Sequence, residues 1–147
     1  MKKILKIDLD YEVDELREAP AGKEVPSNAK ITRNIIENVY AENHKQMGAK
    51  VAREWRRVVR AIDKAIDAGE SVVILRGDDF DSLKKEVYAC EFPPNQAFIV
   101  PVLLDELDRV EALPKKDMER AIEQLQLNRE ASKQVDKVME MSQAKTS

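Results

Sequence analysis

The chain has 147 residues and a net charge of −3, with 43% hydrophobic and 36% charged residues. That length suits one domain with a modest core, and so high a charge fits helices with solvated faces. Four glycines and six prolines are too few for an all-β fold built on many tight turns.

A single cysteine excludes an internal disulfide. Its simplest reading is a reducing, cytoplasmic compartment. The opening MKKILKIDLDYEV begins as a signal peptide does, but Lys6, Asp8 and Asp10 interrupt the run too early for an apolar core. No stretch approaches the roughly 20 apolar residues that span a bilayer. Neither a cleaved signal nor a membrane partner is expected.

Residues 3 to 13 alternate. Leu5, Ile7, Leu9, Tyr11 and Val13 fall on one side, and Lys6, Asp8, Asp10 and Glu12 on the other. Period two predicts a strand with one buried face. The three carboxylates are read as its wet face rather than as a cation site. Residues 14 to 26 hold Pro20, Gly22 and Pro26 among charges, the composition of a loop.

Ser27 or Asn28 can cap the next element. From there Ile31, Ile35 and Val39, then Val51, Trp55, Val58, Ile62 and Ile66, recur at steps of three and four. That spacing predicts helix to about Ala68. Glycine costs about 1 kcal/mol against alanine inside a helix, so Gly48 favours a break near residues 43 to 48 and a helical hairpin. Gly69 is placed to end the second helix. SVVIL, residues 71 to 75, then reads as a second strand, apolar on both faces.

Asp78, Asp79 and Asp81 suit the positive end of a helix dipole. Asp79 is the expected cap, ahead of Phe80, Leu83, Val87 and Tyr88. A further apolar helix is expected to begin near Pro101, because proline clashes with a preceding turn. After Pro114 the chain turns polar. Met118, Ile122 and Leu125 make a short stripe, and beyond Leu127 the apolar face thins to Val135, Val138 and Met139.

Charge is unevenly placed. Arg53, Arg57, Arg60 and Lys64 follow the helical steps on the face opposite the apolar stripe. Between residues 45 and 64, Lys45, Lys50, Arg53, Arg56, Arg57, Arg60 and Lys64 stand against Glu54 and Asp63, a net +5 that leaves −8 on the remainder. Such asymmetry suits nucleic-acid phosphates or an acidic protein surface, a second copy included; a merely solvated helix face is the alternative. Protein is favoured over nucleic acid, since no aromatic residues interleave with the arginines to stack bases. Trp55 lies on the apolar side, where a core anchor is the expected role.

Other chemistry finds little support. His44, the single histidine, has Asn43, Lys45 and Gln46 beside it, neither nucleophile nor orienting carboxylate. Cys90 sits near a helix C-terminus beside Glu91, both of which disfavour thiolate; a buried structural role is expected. The run from Asp79 to Asp81 lacks the glycine and terminal glutamate of a calcium loop. No catalytic residue, metal site or cofactor is assigned.

The order of parts is similar to that of small uncharacterised accessory proteins of tailed bacteriophages. The resemblance rests on KILKIDLDYEV, VVILRGDDFDSLKKEV and FPPNQAFIVPVLLDELD, within residues 3 to 108. It implies a small virion component or a protein acting on host machinery, without catalysis, and it transfers no functional residue.

The sequence thus predicts a predominantly helical α+β fold. A small two-stranded sheet is packed by a helical hairpin and shorter helices in one domain, residues 1–113, followed by a polar helix or tail, residues 114–147. The expected function is a non-enzymatic, self-associating interaction or assembly protein. Lys50, Arg53, Arg56, Arg57, Arg60 and Lys64 are its candidate partner-binding residues. The alternative is a nucleic-acid-binding accessory factor using the same stripe.

Overall fold

The structure, a computed structural model, describes residues 1–11 and 26–145, with only the backbone of residues 135, 136 and 138–145. Most of the predicted loop, and Glu12 and Val13 of the predicted strand, lie outside the described residues. The described chain is predominantly helical α+β, with five α-helices and one two-stranded antiparallel sheet. It divides into two compact units, residues 1–112 and 113–147.

Strand β1, Lys2–Lys6, pairs with β2, Val72–Arg76, in a register running from Lys2↔Arg76 to Lys6↔Val72. The ladder is shorter than the alternation over residues 3 to 13 predicts, because its partner strand is only five residues long. Past Lys6 the backbone turns on itself. Ile7 and Asp8 both donate to the Ser71 carbonyl, at 2.9 and 3.3 Å, and Leu9 and Tyr11 donate to carbonyls two residues back. The burial still alternates as expected: Leu5, Ile7, Leu9 and Tyr11 are buried while Asp8 and Asp10 are exposed.

Helix α1 spans Asn28–Asn43 and is capped by Ser27, whose Oγ accepts the Lys30 N–H at 3.2 Å. Its buried residues, Thr32, Ile35, Ile36, Val39 and Tyr40, form one face. Thr32 ties the coiled segment to this helix. Its hydroxyl donates to the Ile7 carbonyl at 2.8 Å and lies 2.5 Å from the Tyr11 hydroxyl. A buried hydroxyl needs such partners, and here they fix residues 7 to 11 against α1.

The helical run breaks before Gly48, which begins helix α2, Ala49–Asp67. Val58, Ile62 and Ala65 of α2 are buried. Its end is a Schellman motif: Gly69 adopts φ +70°, its N–H reaches the Ile66 carbonyl, and the Glu70 N–H reaches Ala65. A left-handed residue there favours glycine.

Helix α3, Gly77–Ala89, starts directly from β2. A Cβ on residue 77 would stand 2.5 Å from the Met1 carbonyl oxygen, so the close approach of β1 requires glycine. Asp79 is not the cap that the sequence suggests. The helix begins three residues earlier, with Arg76 at the capping position, and Asp79 joins Phe80, Leu83 and Val87 on the buried face.

Helix α4 runs from Ile99 to Ala112, two residues earlier than expected. Pro101 falls in its first turn, where a backbone N–H has no partner within the helix and none is missed.

Leu5, Val73 and Leu75 share the sheet face that is fully covered. Helices α2 and α3 pack on β2, α4 packs on β1, and α1 packs on α2 and α3. The outer edge of β1 is closed by a side chain. Glu106 of α4, only 7% exposed, accepts the Lys6 N–H through Oε1 at 2.9 Å. The same carboxylate is gripped by Arg109 through Nη2 at 2.7 Å and Nε at 2.9 Å.

In the second unit, helix α5 spans Lys115–Lys145, opened by the Met118 N–H on the Pro114 carbonyl. Leu127 of this helix is exposed. No helix among the described residues is long and apolar enough to cross a membrane.

Two consequences can be measured. Glu106→Ala removes the acceptor for a strand N–H and the partner of Arg109. It should lower unfolding free energy in urea by about 1–3 kcal/mol, the cost of an unsatisfied buried group; an unchanged midpoint would show that the β1 edge needs no cap. Burial pushes the phenols of Tyr11 and Tyr40 up to about 12. A raised phenol pKa means the folded state holds its proton longer than the unfolded chain, whose tyrosines titrate near 10. The stability these protons contribute is therefore intact below pH 10 and is lost as pH rises from 10 toward 12. Thermal melts should fall over that window, and in the ultraviolet Tyr11 and Tyr40 should ionise only as the fold is lost. Reversible ionisation of all three tyrosines near pH 10 in the folded protein would contradict this burial.

Candidate interaction surfaces

Helix α2 carries most of the candidate residues, and its surroundings sort them. Arg57 is exposed, but its charge is engaged from α3. Its Nη2 lies 2.8 Å from Asp79 Oδ1, and its Nε lies 3.0 Å from Oδ2 and 3.3 Å from Oδ1. Asp79 is 3% exposed as a side chain, so the arginine neutralises a buried carboxylate on α3. This fork also pushes the Arg57 guanidinium above its usual pKa. Arg57 stays exposed, 41% as a side chain, like the other stripe residues, while its guanidinium is engaged by Asp79 of α3, which packs on α2 on that side.

Lys50, Arg53, Arg56, Arg60 and Lys64 are exposed. None of these side chains makes an ion pair or hydrogen bond among the described residues. Three of them, Arg56, Arg60 and Lys64, border two concave regions.

The first is a groove of about 430 Å³ lined by Met47, Ala52, Trp55 and Val59, with Arg56, Arg60, Glu37 and Asp63 around it. Trp55 is partly exposed here and is not a core anchor. The turn of α2 that buries Val58 and Ile62 carries Trp55 to the edge of that face. Both carboxylates around the groove are engaged from α1. Arg33 Nε donates to Asp63 Oδ1 at 2.9 Å, and Arg33 Nη1 donates to Glu37. Arg56 and Arg60 are left as the unpaired charges at an apolar floor.

The second is a cleft of about 260 Å³ between α2 and β2, bounded by Arg60, Ala61 and Lys64 on one side and Ile74, Leu75 and Arg76 on the other. Arg57 and Asp79 close one part of its wall. Arg60 borders both regions, since steps of four along α2 place it between Arg56 and Lys64.

Sequence reasoning missed the polar seam where α1, α2 and α3 meet. Ser82 Oγ donates to Glu54 Oε2 at 2.7 Å and stands 3.5 Å from the fully buried Tyr40 hydroxyl. Asn43 Nδ2 donates to the Glu86 carbonyl at 2.8 Å and to Glu86 Oε2 at 3.0 Å. His44 stacks near Tyr40, ring centroids 6.3 Å apart. Its Nε2 also lies 3.0 Å from Glu86 Oε2, close enough for an ion pair but not aligned as a hydrogen bond. These groups join helices, and His44 caps the end of α1, within the break expected near residues 43 to 48.

Cys90 is half-buried rather than buried, with Sγ 3.6 Å from the Glu91 carbonyl. Burial first, then Glu42, Glu91 and Glu86, push its thiol pKa up, which disfavours thiolate as the sequence suggests. Among the described residues, no group of three His, Cys, Asp or Glu is placed to hold a metal ion.

Compared with known proteins, the chain matches no family model, no curated protein and no solved structure.

Proposed function

We propose that the protein is a non-enzymatic interaction or assembly protein that docks a protein partner, a second copy of itself included, on the groove around Trp55. The observation that carries this reading is the composition of that groove. A tryptophan and a methionine form an open apolar floor, two unpaired arginines flank it, and both of its carboxylates are already engaged by the one Arg33. Aromatic residues, Met and Arg are the types enriched where proteins bind one another, and Trp and Arg dominate their binding energy. The net −8 outside residues 45–64 gives a second copy the complementary sign. The likeness in element order to phage accessory proteins accords with such a role, in a virion or on host machinery.

The exposed Lys50, Arg53, Arg56, Arg60 and Lys64 support a second reading, nucleic-acid binding. It is weaker because Arg57 is occupied by Asp79 and Trp55 is the one aromatic residue of α2.

Light scattering and thermal melts on wild type and Trp55→Ala test the proposal together. At micromolar concentration the wild type should exceed the monomer mass, and Trp55→Ala should shift it toward the monomer. The substitution should destabilise the fold by less than the roughly 3–5 kcal/mol of a fully buried aromatic. A wild type that stays monomeric would remove self-association from the account. Sub-micromolar retention of generic DNA at physiological salt would place the nucleic-acid reading first.

A further inference from the structure

The two edges of the sheet are treated differently. In an antiparallel ladder, alternate residue pairs turn their N–H and C=O groups toward the partner strand and away from it. The Lys6 N–H points away from β2, to Glu106, so Lys6↔Val72 is an outward-facing pair. Ile7, one residue on, donates inward to Ser71, as this parity requires. Two residues back, Ile4↔Ile74 is outward-facing as well.

Ile74 and Val72 therefore direct backbone donors and acceptors to the outer edge of β2. No hydrogen bond occupies them among the described residues. On the other edge, the Glu106 carboxylate takes the corresponding Lys6 group. Ile74 is also a wall of the cleft between β2 and α2, whose opposite wall presents Arg60 and Lys64 without ion partners and whose end carries Arg76.

An unpaired edge is a template for an added strand. Strand addition draws affinity from main-chain hydrogen bonds and specificity from alternate side chains. Here the alternate side chains of an incoming segment would meet two cations on α2.

We propose that the outer edge of β2 is a second docking site, which receives an extended acidic segment of a partner protein as a third strand. The added strand pairs with Val72 and Ile74, and its inward carboxylates meet Arg60 and Lys64. This site shares Arg60 with the Trp55 groove but not its apolar floor. Nucleic acid could meet the same cations, but its phosphate backbone cannot reproduce the alternating N–H and C=O pattern of a strand.

The full chain is titrated with a fluorescein-labelled peptide, Glu-Val-Glu-Val-Glu-Val-Glu, and with two controls: the same peptide N-methylated at alternate residues, and one with lysine in place of glutamate. Anisotropy should show the acidic peptide binding at least about tenfold more tightly than either control, the equivalent of one or two hydrogen bonds lost. Arg60→Glu with Lys64→Glu should reverse the charge preference. Amide exchange by NMR supplies the structural readout. In the free protein Val73 and Leu75 should exchange slowly and Val72 and Ile74 quickly, and the acidic peptide should slow Val72 and Ile74. Equal binding of the N-methylated peptide would overturn the proposal, as would Val72 and Ile74 amides already protected in the free protein. Displacement of the peptide by a single-stranded oligonucleotide that leaves the Ile74 amide fast would assign these cations to phosphate instead.

Discussion

The pairing of Arg57 with Asp79 is the constraint on which the arrangement of α2 depends. A carboxylate 3% exposed is costly to bury unless it is paired and hydrogen-bonded. Arg57 supplies both from the neighbouring helix, through a planar fork that reaches both oxygens. Because α3 springs directly from β2, holding Asp79 also fixes the rotation of α2 against the sheet. That rotation turns Val58, Ile62 and Ala65 inward. It leaves Trp55 at the margin of the core, puts Arg56 and Lys64 on different concave regions, and sets Arg60 on the border of both.

The surface then follows from geometry. On the α1 side, Arg33 engages both Glu37 and Asp63 and leaves Arg56 and Arg60 as the unpaired charges around an apolar floor. On the β2 side, the cleft exposes a strand edge to Arg60 and Lys64. The same device, a buried carboxylate held by an arginine, closes one edge of the sheet through Glu106 and Arg109 and locks α2 to α3 through Asp79 and Arg57. No comparable side chain closes the outer edge of β2 among the described residues. Small sheets normally blunt their edges, so this asymmetry is where the fold leaves backbone capacity for association.

Much of this architecture was legible in the residues. Period-two alternation located the N-terminal strand face, steps of three and four located both helices of the hairpin, and Gly48 and Gly69 marked a break and an end whose backbone demands are local. The misreadings have one source. Asp79 at the start of an acidic run carries the chemistry of a cap, and only the packing of α2 on α3 turns it into a buried partner. Arg57 lies at helical spacing with Arg53, Arg60 and Lys64, and periodicity cannot say which of them meets a carboxylate 22 residues away. Trp55 follows the apolar stripe, but a stripe wider than the contact it makes leaves one margin exposed. The polar seam of Tyr40, Ser82, Glu54 and Glu86 joins residues distant in sequence, so no local motif announces it. Pairing of β1 with β2 was available as the one obvious strand match, whereas the Glu106 cap of its edge was not.

The division of charge on α2 into one structural arginine and several available ones is tested most directly by comparing glutamine variants. Thermal melts of Arg53→Gln, Arg56→Gln, Arg57→Gln and Arg60→Gln should single out Arg57→Gln as clearly the least stable. Adding Asp79→Asn to Arg57→Gln should recover part of that loss, because the buried charge left behind is then removed. Four variants that melt alike, or a double variant no more stable than Arg57→Gln alone, would contradict the claim that Asp79 holds Arg57 and sets the face that α2 presents.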